Sequence, residues 1–282
     1  MTIIYFFGGG SSPKLVRHHY INETSGYVPD DFIEQLETID KVYIPTINYT
    51  NVYYYGSHKP MASMYEPIDR LYLDDLKLDS FVTKLYNQFD KTLYPAPYTI
   101  IAHSHGIYYG MEFARQFRTD TKIIISLDGS WITRALCARR LLNWKSKGKI
   151  VKKIKTQSEL DYLVDQIKNN KDNDIFINQI FDYVRYAHTI HCIKYNFENL
   201  IKKNNFIIFR DINSNCVDKI MVEYNKYAIE EHNILVDKNS SKYKIFWLVD
   251  ASHEIYLNPF YRNQILNYVR FKYYENQIYN LI

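Results

Sequence analysis

The sequence predicts an α/β fold built around a mainly parallel central sheet of about six strands flanked by helices. Short strand-like runs alternate with segments whose apolar residues recur at helical spacing, a pattern typical of βαβ units. A long middle stretch contains helical patterns and no convincing strand. No internal repeat or low-complexity linker divides the chain. These observations together predict a single α/β domain that carries a helical insertion.

The strand-like runs are short and apolar, and they set the order of the predicted elements. The first ends in three glycines, Gly8, Gly9 and Gly10, and the second is stopped by Pro45. Strands are predicted at 3–7, 41–44, 98–102, 122–127, 206–209 and 244–249. Helices are predicted at 32–39, 74–93, 107–117 and 217–231, and from Pro259 onward. The connection between the first two strands is expected to be right-handed.

The segment 130–205 is predicted to form a helical cap inserted before the last two strands. It has helical periodicity, and it is flanked by strand-like runs that belong to the same sheet. The predicted core domain therefore comprises residues 1–129 and 206–282.

The composition indicates a soluble globular protein with an ample core. The 282 residues are 46% hydrophobic, with a mean hydropathy of -0.36, and no apolar run is long enough to cross a bilayer. The chain start lacks the features of a signal peptide. Three scattered cysteines without metal-type or redox spacing predict a reducing environment. We therefore expect a cytoplasmic protein.

The positive charge is concentrated in one segment. The net charge of +4 is too small for a dedicated nucleic-acid binder, so no specific nucleic-acid partner is expected. Residues 134–155 nevertheless hold nine basic residues, and no acid lies between Asp128 and Glu159. Interleaved apolar residues make the segment compatible with docking on an anionic membrane surface or with receiving an anionic substrate. The alternative is a solvated cap helix whose lysine stems cover apolar surface.

Ser104 is the candidate nucleophile because of where it lies along the chain. It follows a predicted strand and precedes a predicted helix, with the small residues Ala102 and Gly106 two positions to either side. A serine hydroxyl needs a neighbouring imidazole to accept its proton and backbone N–H groups to stabilise the oxyanion. His253, between the last predicted strand and the last helix, is the candidate base.

These segments resemble the α/β-hydrolase superfamily. The run 102–106, Ala-His-Ser-His-Gly, is similar to its nucleophile elbow, with Ala in place of the commoner Gly, and 251–259 resembles its histidine segment. The glycines after the first strand resemble its oxyanion loop, although Phe7 stands where a histidine is common. The resemblance implies an oxyanion hole formed by the backbone N–H groups of Gly8, Gly9 and His105. It also implies a trimmed sheet that lacks the early antiparallel strands of larger members.

The resemblance leaves three candidates for the triad acid. The family usually places this residue after the strand predicted at 206–209, which makes Asp211 the first choice and Asp218 the second. Asp128, after the preceding strand, occupies the position that some lipase-like members use.

The predicted function is hydrolysis of an ester, thioester or related acyl bond through a Ser-His-Asp triad and an acyl-enzyme, on a small-molecule or lipid-like substrate. His103, Trp131 and Tyr54 are candidates for lining the pocket. No cofactor or metal is expected: His188, His191 and Cys192 have helical spacing but no obvious fourth ligand. The alternative is a non-catalytic protein of the same fold that binds a ligand, an anionic membrane surface or a partner.

Overall fold

A computed structural model describes residues 1–9, 31–47, 70–129, 133–169, 174–197, 200, 205–211, 229–230, 233, 243–251 and 253–279. Its strands are β1 (Thr2–Phe6), β2 (Lys41–Tyr43), β3 (Tyr98–His103), β4 (Thr121–Leu127), β5 (Asn205–Asp211) and β6 (Tyr243–Leu248). They form one sheet in the order β2-β1-β3-β4-β5-β6, and every neighbouring pair is parallel. The predicted six-stranded parallel sheet is confirmed.

The burial of each strand matches its place in the sheet. Every residue of β1 and β3 is buried, and β4 is buried except for Lys122. The edge strands β2 and β6 alternate buried and more exposed residues. A parallel strand covered on both faces requires a continuous apolar run, and the central strands have that pattern. The core therefore lies on both faces of β1, β3 and β4.

The described helices are α1 (Asp31–Glu37), α2 (Leu78–Gln88), α3 (Gly106–Gln116), α4 (Arg134–Ser146), α5 (Gln157–Asn169), α6 (Asp174–Tyr195) and α7 (Pro259–Tyr279). Short 3₁₀ helices precede α2, at Leu73–Leu76, and α7, at Ile255–Leu257. The helix predicted at 217–231 lies almost entirely outside the described residues. None of the helices in the described part of the chain is both long and apolar enough to cross a membrane.

The single helix predicted at 74–93 is shorter than expected, since α2 ends at Gln88. Asp90 explains the early end, because its Oδ1 accepts hydrogen bonds from the backbone N–H groups of Thr92 and Leu93. These bonds form a turn that competes with a continuing helix. Phe89 therefore packs into the core directly after α2 ends, whereas Leu93 is 48% exposed in the turn before β3.

The segment between β4 and β5 contains three helices, α4, α5 and α6, which we call the helical insert (described residues 133–169, 174–197 and 200). Both α4 and α5 pack against α6. Trp144 of α4 stacks on Tyr186 of α6, with ring centroids 6.5 Å apart. The described part of the insert is thus a helical unit in which α6 contacts both of the other helices.

Candidate active site

Ser104 lies at the sharp turn between β3 and α3. Its φ of 52° is in the left-handed region, which is strained for a residue with a side chain. Its backbone N–H donates to the carbonyl of Leu127 in the neighbouring strand, at 2.9 Å. This bond and the buried strand hold the turn in place. The Ser104 side chain consequently projects at the carboxyl edge of the sheet.

Gly106 makes this turn possible because α3 begins against β1. A Cβ at this position would lie 2.3 Å from the carbonyl oxygen of Phe6 and 2.6 Å from that of Phe7. Both atoms belong to the backbone and cannot move aside cheaply. Only glycine allows this approach, which explains the small residue two positions after Ser104.

Three side chains form a continuous hydrogen-bonded chain at this edge. His253 Nε2 lies 2.8 Å from Ser104 Oγ, and His253 Nδ1 lies 2.6 Å from Asp128 Oδ2. Because a carboxylate only accepts, Nδ1 carries the proton and Nε2 is left to accept from the serine hydroxyl. The Asp128 side chain is 3% exposed, and that of His253 is 21% exposed. The buried Asp128 carboxylate therefore orients the imidazole, and part of the ring remains open to solvent.

Among the described side chains, the carboxylate that His253 contacts is Asp128, the third of the candidates from the sequence after Asp211 and Asp218. Asp128 follows β4 with a φ of 49°, and its N–H donates to the carbonyl of Phe209 in β5 at 2.8 Å. Asp211 is the last residue of β5, and its side chain lies outside the described part, as does all of Asp218. The strand order supplies the physical reason, since β4 lies next to β3 and its carboxyl end adjoins Ser104.

The glycine loop after β1 passes directly beside Ser104. A Cβ on Gly8 would lie 3.0 Å from Ser104 Cβ and 3.1 Å from His103 Nδ1, so no larger residue fits without a shift. A Cβ on Gly9 would lie 3.8 Å from His105 Cβ and 3.7 Å from Phe181 of α6. The loop is therefore enclosed between the turn that carries Ser104 and the helical insert.

His103 is buried, and it contacts the histidine segment. Its Nε2 donates to the backbone carbonyl of His253 at 3.0 Å, and the two rings lie 4.8 Å apart. Tyr256 packs edge-on against the other side of the His103 ring. Only 5% of His103 is exposed, so this buried side chain holds the backbone of the His253 segment in place. The other two predicted pocket residues, Trp131 and Tyr54, lie outside the described residues.

His105, the residue after Ser104, joins the turn to the helical insert. Its Nε2 lies 3.0 Å from Nδ1 of His188 in α6, and the two rings are stacked. Burial is the main cause of the lowered pKa of both rings, which falls to about 3 for His188 and well below its ordinary value for His105. Nearby positive groups, including Arg140, lower both further. Both imidazoles are neutral at pH 7.

A contact between α3 and α6 lies one turn further along α6, and about two turns beyond His105. Glu112 is fully buried, and it accepts hydrogen bonds from Arg115, Gln116 and His191 Nε2, the last at 2.8 Å. Burial alone would raise the pKa of Glu112, but these hydrogen bonds outweigh it and lower the pKa to about 2. The carboxylate is therefore ionised, and it fixes α6 against the core. Neither this contact nor that of His105 with His188 is predicted from the sequence.

The histidines and cysteine considered as metal ligands face different partners. His188 contacts His105, His191 contacts Glu112, and Cys192 contacts Cys137 of α4. Among the described residues, no group of three or more histidine, cysteine, aspartate or glutamate side chains could hold a metal ion.

Comparisons with solved structures identify the architecture. A carboxylesterase structure from the thaumarchaeon Nitrososphaera gargenis is similar over 98% of this chain and 91% of its own, with a TM-score of 0.50 and 11% identity. A proposed lipase from Acinetobacter baumannii is similar over 98% of this chain and 85% of its own, with a TM-score of 0.52 and 16% identity. The chain has the α/β-hydrolase fold.

No family model matches the chain, and no curated protein matches it. The α/β-hydrolase fold is therefore shared at identities where most side chains differ, and the fold alone does not determine the function.

Proposed function

We propose that the protein is a serine hydrolase that cleaves a carboxylic ester, thioester or related acyl bond, with Ser104 as nucleophile, His253 as general base and Asp128 as the orienting acid. The observation that carries the proposal is the hydrogen-bonded chain from Asp128 through His253 to the Ser104 hydroxyl, with separations of 2.6 and 2.8 Å. Three side chains from distant parts of the sequence meet in the order that acyl transfer requires.

The proposed reaction proceeds in two halves. Ser104 Oγ attacks the substrate carbonyl while its proton passes to His253 Nε2, and Asp128 stabilises the imidazolium. The tetrahedral intermediate collapses, the C–O or C–S bond breaks, and the leaving group takes the proton from Nε2. Water then gives its proton to Nε2 and attacks the acyl-enzyme, and the second collapse returns the proton to Ser104. The carboxylic acid product leaves the site.

The oxyanion would be stabilised by backbone N–H groups of Gly8, Gly9 and His105. The close approach of Gly8 to Ser104 supports this assignment, because the glycine loop lies beside the nucleophile where the substrate oxygen would develop its charge. The start of α3 adds the positive end of a helix dipole at the same place. The missing histidine before the glycines is compatible with this role, since the proposed donors are main-chain groups.

The helical insert would act as a cap over this edge. The position of Phe181 against Gly9 and the contact of His188 with His105 support that role. A carboxylesterase and a proposed lipase share the architecture, and a small-molecule or lipid-like acyl substrate fits the proposal.

Labelling with a fluorophosphonate probe tests the proposal. We expect stoichiometric modification of the protein, with intact mass and peptide mapping locating the adduct on Ser104. Ser104→Ala should abolish the adduct, and His253→Ala should slow its formation strongly. A folded protein that the probe does not label, or labels elsewhere, would contradict the proposal.

The non-catalytic alternative drew its support from the lack of a clear triad acid in the sequence. The contact between Asp128 and His253 supplies a candidate acid, so the hydrolase is the better-supported function. Absence of labelling would restore the alternative and direct the work to ligand screening.

A further inference from the structure

The outer surface of α4 and of the segment that follows it combines positive charge with exposed apolar side chains. Nine basic residues lie between 134 and 155. Arg140 of α4 donates to Tyr108 Oη of α3, and Lys149 pairs with Asp182 of α6. The other seven are all exposed, and we call them the basic surface: Arg134, Arg139, Lys145, Lys147, Lys152, Lys153 and Lys155.

The exposed side of α4 has an apolar residue at its centre. Leu142 is 66% exposed, and helical geometry puts Arg139 and Lys145 about 60° to either side of it. The opposite side of the helix carries the buried Cys137 and the partly buried Trp144, which stacks on α6. Leu142 therefore projects away from the rest of the insert, between two cationic side chains.

The segment after α4 repeats the same arrangement. Lys149 turns inward to Asp182 of α6, and the next residue, Ile150, is 91% exposed. The Ile150 side chain is therefore open to solvent, as that of Leu142 is. Lys147 and Lys152 flank it in sequence. A groove of about 280 Å³ opens beside Lys152 and is lined in part by apolar residues of α5.

We propose that the basic surface, with Leu142 and Ile150, docks the protein on an anionic lipid bilayer. The lysines and arginines are complementary to acidic headgroups, and the two apolar side chains would enter the interface between them. A nucleic acid would satisfy the charges but not the two aliphatic side chains, which cannot stack on bases as aromatic residues do. The inference does not depend on the proposed hydrolysis.

Vesicle cosedimentation tests the docking, with the Ser104→Ala variant used so that hydrolysis cannot alter the lipid. The vesicles contain phosphatidylcholine alone or with about one third phosphatidylserine, a mixture chosen to supply the negative surface charge. We expect binding to the anionic vesicles, weakening as salt rises, and little binding to the neutral ones. Equal binding to both compositions, or none to either, would overturn the proposal.

Two double variants separate the contributions of charge and apolar contact. Lys145→Gln with Lys147→Gln should weaken binding roughly 30-fold, from the loss of two favourable charge interactions at the bilayer surface. Leu142→Ser with Ile150→Ser should weaken binding to vesicles while leaving binding to duplex DNA unchanged. The matched control, Lys122→Gln with Lys244→Gln, removes two exposed lysines from strands outside the insert and should bind as the parent does.

The outcomes are distinct. If the apolar variant binds vesicles as well as the parent, the surface is a general polyanion site and bilayer docking is wrong. If the control pair weakens binding as much as the Lys145 and Lys147 pair, net charge explains the binding and the surface assignment is wrong. Failure of the fluorophosphonate test affects neither conclusion, because docking is measured without turnover.

Discussion

The contact between His105 and His188 makes stability depend on pH in a way that one substitution should reveal. The two ring nitrogens are 3.0 Å apart, with room for one proton between them. His188 has a pKa of about 3 in the folded protein, against an ordinary value of 6.5, because burial and nearby positive charge disfavour the imidazolium. Below pH 6.5 the unfolded chain therefore binds a proton that the folded protein does not.

The sign and size of the effect follow from this difference. The His188 contribution leaves stability unaffected above pH 6.5, and it lowers the free energy of unfolding as pH falls, by about 1.4 kcal/mol per pH unit. Between pH 6.5 and a pKa of about 3, the accumulated loss is roughly 4–5 kcal/mol. His105, whose pKa is also lowered, contributes in the same direction. That loss is a large fraction of the stability of an ordinary domain.

His188→Gln tests the reasoning, because glutamine does not titrate and can still accept a hydrogen bond from His105. We expect the variant to be less stable than wild type near pH 7, by about 1 kcal/mol for the altered hydrogen bond. Its stability should fall less steeply toward about pH 4, by about 1.4 kcal/mol per unit, so that the two curves converge and cross.

The assay is urea unfolding at several pH values between about 4 and 7, followed by far-ultraviolet circular dichroism and tryptophan fluorescence to check that unfolding is two-state. Parallel curves for wild type and variant would refute the reasoning, because they would mean that His188 titrates equally in the folded and unfolded states.

Three further substitutions test the site itself. Asp128→Asn should lower kcat on a reactive ester by roughly 10³–10⁴-fold, because the imidazole loses its orienting carboxylate. Asp211→Asn should leave kcat near the wild-type value. The reverse result would exchange the roles of the two residues. His103→Phe should lower kcat roughly 10- to 100-fold, with KM little changed, because the hydrogen bond to the His253 carbonyl is lost. His103→Gln should recover part of the loss in kcat, since glutamine restores a hydrogen-bond donor. Equal losses in the two variants would show that only ring packing matters. Gly106→Ala should lower the free energy of unfolding by about 3 kcal/mol, since the alanine Cβ would lie 2.3 Å from a backbone carbonyl oxygen of β1. An unchanged melting temperature would contradict this close contact.

The sheet could be predicted from sequence because its central strands are buried on both faces. Residues 98–102 and 122–127 are almost continuously apolar, and short apolar runs that alternate with helical segments are typical of the central strands of a parallel sheet. Ser104 could be singled out for a similar local reason, since the small residues and the strand-to-helix transition are all visible within a few positions.

The partner of His253 could not be identified in the same way. Asp128 comes directly after β4 and Asp211 is the last residue of β5, and the difference between them is that β4 lies next to β3. Strand order is a property of the tertiary structure, and the segment around either aspartate does not encode it. The same limit applies to His105 and His188, which are separated by 83 residues and touch only because α6 packs over the turn.

Backbone strain offers an independent reason to locate function at the carboxyl edge of the sheet. Among the described residues other than glycine, Ser104, Asp128, Asn196 and Asp250 have positive φ. Asn196 directly follows the last residue of α6, a position where this conformation is common. The other three follow β3, β4 and β6, the strands that lead to the proposed nucleophile, acid and base.

Each such residue costs on the order of 1–3 kcal/mol, and it persists only where the surrounding structure holds it in place. Two of the three are held by main-chain bonds to the neighbouring strand, from Ser104 to Leu127 and from Asp128 to Phe209. Relaxing either turn would release that strain and turn the side chain away from His253. A fold maintained for stability alone would not be expected to keep strained turns at the ends of adjacent strands, whereas a site that must hold a hydroxyl and a carboxylate against one imidazole requires them.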